Sequence, residues 1–170
     1  MVAHFFSKIL RNHLFILFLP LFLISNELHL SVSSLPGRLN PLLATDSASS
    51  TISSYIFEGL LKYDKDGKIV PDIAKKYYFE NNTTLVVELK ENIKWHDGVG
   101  LTADDIVFTY KTAISPKIFT PYSSSFRMVK DVEKINKFKV KITYKQPYFK
   151  ALETWLMALI PKHILENEKD

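Results

Sequence analysis

A chain of 170 residues that is 46% hydrophobic and 24% charged can bury one core of ordinary size, and its length does not require a second. Its formal charge of +4 comes from 22 basic and 18 acidic residues, and no basic run interleaved with stacking aromatics occurs, so a nucleic-acid partner is set aside. Cysteine is absent, which excludes a disulfide framework, a thiolate metal site and a lipid on an N-terminal Cys.

The first residues carry Lys8 and Arg11 and no acid, ahead of an apolar run of 11 residues from Leu14 to Ile24. That length suits the core of a signal peptide and falls short of the roughly 20 residues that span a bilayer. Residues 1–25 are therefore expected to be a signal peptide cut after Ser25, or an uncleaved anchor, because Leu23 is a poor match to the small residue such a cut prefers. Removing them takes away Lys8 and Arg11 and lowers the charge to +2.

Glu27 to Ser34 alternates apolar and polar residues and predicts a first strand, closed by Pro36 and Gly37. Asp46 and the serines after it offer N-cap oxygens, and Ile52, Ile56, Phe57, Leu60 and Leu61 recur at helical spacing, predicting a helix from about Ser49 to Leu61. Asp64-Lys65-Asp66-Gly67 reads as a turn, and Pro71-Asp72 as the opening of a short helix through Lys76. Asn81 and Asn82 then join two strands, about Tyr77 to Glu80 and Leu85 to Lys90.

Ile93-Lys94-Trp95-His96-Asp97-Gly98 is an apolar strand end followed by an Asp-Gly turn, with Trp95 packed on the core. Thr102, with Asp105 three residues on, marks the start of an amphipathic helix to about Ala113. A Ser- and Pro-rich surface loop runs to Ser125. Val129 to Ile135 and Lys137 to Tyr144 alternate about Asn136 and predict a hairpin with one buried face, Phe138, Val140, Ile142 and Tyr144 pointing inward. Pro147 ends that strand, and Tyr148 to Met157 is expected to be helical before Pro161. Hairpins without regular strand and helix alternation place the chain in the α+β class.

Chemistry-bearing clusters are few. His96 and Asp97 are adjacent, so on extended backbone they face opposite ways and cannot orient each other as a catalytic pair needs. Asp64, Asp66 and Gly67 are a fragment of a calcium loop without the further oxygen ligands or the closing Glu. His4, His13, His29, His96 and His163 include no HExxH and no short-spaced pair, and no GxxxxGK phosphate loop occurs. No catalytic residue, no metal site and no cofactor is expected.

Ile93 to Gly98 together with Leu101-Thr102-Ala103-Asp104-Asp105-Ile106-Val107-Phe108-Thr109-Tyr110 closely resembles the signature of bacterial extracellular solute-binding proteins of family 5, the oligopeptide and dipeptide binders of ABC importers. Leu39-Asn40-Pro41-Leu42, Phe57-Glu58-Gly59-Leu60-Leu61, Ile69-Val70-Pro71-Asp72-Ile73-Ala74, Val87-Glu88-Leu89-Lys90, Ser115-Pro116, Thr120-Pro121-Tyr122 and Ile160-Pro161-Lys162-His163 follow in the family's order. The resemblance implies an α+β fold, the N-terminal portion of a two-lobed periplasmic binding protein (type II-like), with a mixed sheet, β-hairpins and flanking helices. Residues 26–170 would be the first part of the solute-binding domain, with the C-terminal lobe missing.

The resemblance also implies a function. The chain would bind a peptide or other small solute in the periplasm as a monomer and deliver it to an ABC permease in the inner membrane, making and breaking no bond. Members take up dipeptides, longer peptides, nickel complexes, haem and sugars. By resemblance, Thr45, Asp46 and Ser47 match an extended stretch that pairs with a peptide backbone, where strand addition is indifferent to side chains. Tyr122 matches a tyrosine lining the cleft. The competing readings are helix capping for Thr45 to Ser47 and packing within its own lobe for Tyr122. An alternative for the whole chain is a non-functional remnant, or a membrane-anchored interaction module without transport activity.

Overall fold

The computed structural model describes residues 29, 31–32 and 34–168. The chain divides between Ser31 and Val32, and every helix and strand among the described residues belongs to the part from Val32 onward. The expected signal segment lies outside the described residues, as do four of the eight residues of the strand expected at Glu27 to Ser34. Ser31, Val32 and Ser34 are described, and they are exposed and outside any strand. Among the described residues no helix is long and apolar enough to cross a membrane.

Helix α1 spans Ser47–Ile56, and its N-cap is Asp46, whose carboxylate accepts from the Ser49 amide at 2.8 Å and from the Ser49 hydroxyl at 2.6 Å. Its buried side is small and polar, made of Ala48, Ser49 and Ser53, with the Ser53 hydroxyl donating to the Ser49 carbonyl. The helix ends five residues before the expected Leu61. Phe57 is already extended, at φ −121° and ψ 144°, and Gly59 forms an antiparallel bridge with Ala158. A Cβ on Gly59 would lie 2.8 Å from the Leu156 carbonyl oxygen and 2.9 Å from that of Met157, so this approach of two backbones requires glycine. Leu60 and Leu61 are fully buried, but as chain that enters a strand. Their helical spacing is coincidental.

Strands β1 (Leu61–Tyr63) and β2 (Ile69–Pro71) form a small antiparallel hairpin. Its turn is the expected one. Asp64 Oδ1 accepts from the amides of Asp66 (2.9 Å) and Lys68 (2.8 Å), and Gly67 supplies φ +75°. The short helix expected after Pro71 is absent. Pro71 closes β2, and β3 runs from Ala74 to Asn81, because the Asp72 and Ala74 amides are taken by the Leu60 carbonyl and the strand is claimed by β4 (Thr84–Leu89). Asn81 Oδ1 accepts from the Thr83 amide to close that hairpin.

Strands β5 (Val129–Asn136) and β6 (Lys139–Tyr144) form the third hairpin, closed by the Asn136 side chain on the Phe138 amide. The larger sheet has the order β3-β4-β6-β5, and every pairing among the described strands is antiparallel where a mixed sheet was expected. Tight hairpin turns allow nothing else between sequence neighbours. Val140, Ile142 and Tyr144 are buried as expected, and Phe138 is half-buried at the edge. Ile135 is exposed, because three positions after the buried Val132 it falls on the opposite face of the strand.

Helix α2 (Ala103–Ala113) lies across β5 and β6. Its capping box is the one read from Thr102 and Asp105: Asp105 Oδ2 accepts from the Thr102 amide at 2.8 Å, and the Thr102 hydroxyl accepts from α2 amides. Ile106, Leu85, Val87, Val140 and Ile142 meet in the core, each at or near zero exposure. Burial of such a side chain contributes about 1.5–3 kcal/mol.

The expected helix from Tyr148 to Met157 is reduced to one 3-10 turn, Glu153–Leu156, before the four-residue α3 (Lys162–Leu165). Tertiary contacts shape it. Trp155 donates its indole N–H to the Tyr144 hydroxyl at 2.9 Å, that hydroxyl donates to the Ala151 carbonyl at 2.7 Å, and Phe126 meets both Trp155 and Tyr110 edge to face.

Candidate functional site

Where α1 ends, β1 begins and the Glu153–Leu156 turn passes beneath, the chain leaves a cleft of about 630 Å³. Its floor is the Gly59 and Ala158 crossing, and Phe57, Tyr63 and Tyr122 contribute aromatic surface. Its charges are Glu58, Lys62, Asp72 and Glu153. Lys62 and Asp72 pair at 2.8 Å, and the Asp72 carboxylate, helped by Glu58, raises the lysine above its ordinary value. The cleft therefore offers apolar flats beside carboxylates.

Tyr122 lines this cleft, half-buried, on the 3-10 turn Pro121–Phe126. The turn is positioned from both ends. Buried Thr120 caps it by accepting the Tyr122 amide on its hydroxyl at 3.2 Å, Phe126 is locked against Trp155, and the Thr154 hydroxyl reaches the Ser125 carbonyl at 3.4 Å.

Thr45, Asp46 and Ser47 are exposed and do not line the cleft, whereas Pro41 and Ala44 of the same segment do. Asp46 is the α1 cap, and the Ser49 hydroxyl and then its amide hold the carboxyl below its ordinary value. Its backbone is extended, at φ −99° and ψ 159°, while Ser47 is the first helical residue. Capping thus accounts for the Asp46 side chain.

His96 and Asp97 do not meet. His96 is exposed, and Asp97 Oδ2 lies 2.7 Å from Nε2 of His163. Asp64 and Asp66 belong to a plain turn, and among the described residues no three His, Asp or Glu side chains are grouped as a metal site would need. Sequence reasoning missed Lys62, Asp72 and Glu153 as neighbours. Glu58 had a signal, since it stands in the Phe57-Glu58-Gly59 block. The Asp97 and His163 pair, 66 positions apart, had none.

The family model described as bacterial extracellular solute-binding proteins, family 5 Middle, matches residues 68–170, more than half of the chain. The chain belongs to that family. The oligopeptide-binding protein AppA of Bacillus subtilis is 35% identical over 137 residues, which is 78% of this chain and 25% of that protein. The solved structure of Bacillus subtilis AppA in complex with a nonapeptide superposes with a TM-score of 0.68 at 32% identity, covering 76% of this chain and 26% of that one. NikZ of Campylobacter jejuni in complex with Ni(L-His) gives a TM-score of 0.72 at 31% identity, covering 81% and 28%. The chain spans about a quarter of the length of these relatives. They are periplasmic-type binding proteins of α+β architecture, and the hairpins and flanking helices of this chain are one portion of such a lobe.

Proposed function

We propose that this chain supplies one wall of the ligand cleft of an exported solute-binding protein of an ABC importer, and that the ligand is a peptide or a similar small solute passed to a permease of the inner membrane. The observation that carries the reading is the 630 Å³ cleft with Tyr122 on its rim, in a chain of a family whose relatives include a nonapeptide binder. The segment of Thr45 and Asp46, extended at Asp46, with Ser47 at the helix start, would pair with a peptide main chain, and Tyr122 would cover it with a flat face and a hydroxyl. Residues 1–25 would direct export, and the working unit would be a monomer.

Closure around a ligand rests on differential contacts with two lobes. A second lobe beyond residues 26–170 would complete the cleft and supply most of the affinity. The 170-residue chain is accordingly expected to bind peptides weakly. Calorimetric titration of the chain with a pool of di- to pentapeptides, after a thermal melt shows a cooperative fold, tests this. A binding heat whose affinity falls about tenfold on Tyr122→Ala, as for a contact aromatic, supports the reading. A cooperative melt with no heat at millimolar peptide, or heat indifferent to Tyr122, overturns it for this chain.

A further inference from the structure

Three polar side chains of the Ile93 to Tyr110 stretch converge on one later segment. The Thr109 hydroxyl accepts from the Ile160 amide at 3.1 Å, Asp105 Oδ1 from the Lys162 amide at 2.9 Å, and Asp97 Oδ2 meets His163 at 2.7 Å. The Leu159 amide is held as well, by the Glu58 carbonyl at 2.9 Å. Both aspartates divide their oxygens in the same way. Asp105 uses Oδ2 to cap α2, and Asp97 uses Oδ1 to accept the Val99 amide in its own turn at 3.0 Å; the other oxygen of each goes to the later segment. Thr109 also has two partners, since its hydroxyl donates to the Asp105 carbonyl at 2.7 Å.

The held segment forms one wall of an apolar groove of about 330 Å³, with Ile160, Pro161, Ile164 and Leu165 facing Phe57 and Trp95. The holding points differ in kind along it. Thr109 and Asp105 are 1% and 4% exposed, while the Asp97 and His163 side chains are 40% and 31% exposed. Buried hydrogen bonds are costly to leave unmade, and exposed pairs contribute little. The outer end rests on a helix of four residues, too short to persist on its own.

We propose that residues 159–168 are a strap over the apolar groove beside Trp95, pinned at its inner end by Thr109 and Asp105 and releasable at its outer end by the parting of Asp97 and His163. The strap opens from α3 inward while the rest of the lobe stays folded. The charged groups near the outer contact are Lys162 and Glu166, which pair with each other at 3.4 Å on α3, together with Asp105 and exposed His96. Asp97 is held below its ordinary value of 3.8, first by the His163 hydrogen bond and then by the Val99 amide. The Asp97 carboxylate that makes the contact is therefore lost as pH falls through the depressed value.

Amide hydrogen exchange in the 170-residue chain, read alongside tryptophan emission, tests the strap with Asp97→Asn and His163→Gln. His163→Gln leaves the Asp97 turn intact, so it remains informative if Asp97→Asn disturbs that turn. Exchange at the Leu165 and Glu166 amides should speed up about tenfold while Ile160 and Lys162 keep their protection, as local opening requires. The Trp95 indole N–H is buried with no protein acceptor. Opening should let water reach it and move the emission to the red, and the shift should vanish in a Trp95→Phe background. Equal acceleration of all four amides, or of none, overturns the proposal.

Discussion

At Gly59 a missing side chain matters more than most that are present. Two carbonyl oxygens, of Leu156 and Met157, stand within 3 Å of where its Cβ would be, and backbone cannot step aside as the end of a flexible side chain can. Gly59→Ala is expected to destabilise the lobe by about 1–3 kcal/mol, the usual range for overpacking, and chemical denaturation with an unchanged slope would show it. A neutral result would mean that the Gly59 and Ala158 crossing relaxes freely. Asp105 illustrates what the residue scale conceals in sequence. Its place in the capping box is legible from Thr102 three positions earlier, but its second oxygen, on the Lys162 amide, depends on a partner 57 positions away that no spacing rule reaches. His163 is the same case. It reads as one of five scattered histidines, and only the folded chain puts it on Asp97.

Among the elements, those defined by local chemistry are the readable ones. Each hairpin turn contains an Asp or Asn whose side chain accepts an amide two residues on: Asp64, Asn81 and Asn136, with Asp97 doing the same before Val99. Helix α2 carries its start signal in Thr102 and Asp105, and Thr102→Ala should cost about 1 kcal/mol, within the range for loss of an N-cap. Thermal melts of the two chains, compared at neutral pH, would register this; an unchanged midpoint would show the Thr102 hydroxyl to be dispensable beside Asp105. The elements that differ from expectation are those whose conformation is decided by a partner. Leu60 and Leu61 continue a helical spacing but enter β1, Ala74 to Lys76 join a sheet edge, and Tyr148 to Met157 collapse into one turn under the Tyr144 and Trp155 contact. Tertiary packing overrides local propensity at such places.

For the whole molecule, the ionisable groups set a pH window. Glu88 is held below its ordinary value of 4.5 by Lys139 and then Lys76, Asp46 is lowered by Ser49, and Asp97 by His163. A lowered carboxyl contributes stability above its unfolded value and loses it as pH falls through the folded one. On the alkaline side Lys62, Lys139 and Lys141 are raised by Asp72, Glu88 and Glu133, and burial raises Tyr144 and Tyr110. Raised groups contribute fully below their unfolded values, 10.0 for tyrosine and 10.5 for lysine, and lose that contribution above them. The melting temperature should therefore fall most steeply below pH 4.5 and above pH 10.0. A melt series across pH 3 to 11 checks this, and a steepest change near neutrality would contradict it.

From sequence alone, the α+β class, the turns at Asp64, Asn81 and Asn136, the capped helix α2 and the family were determined, because each rests on residues close together in the chain or on motifs in a set order. Periodicity, turn chemistry and capping are local forces, and a one-dimensional string records them fully. Tertiary structure decided where α1 stops, which strands neighbour one another in β3-β4-β6-β5, and how Glu58, Lys62, Tyr122 and Glu153 come to line one cleft. It also decided that Asp97, Asp105 and Thr109 share one segment as their partner. Those outcomes depend on hydrogen bonds and close approaches between parts of the chain tens of residues apart, whose geometry exists only after the core has formed.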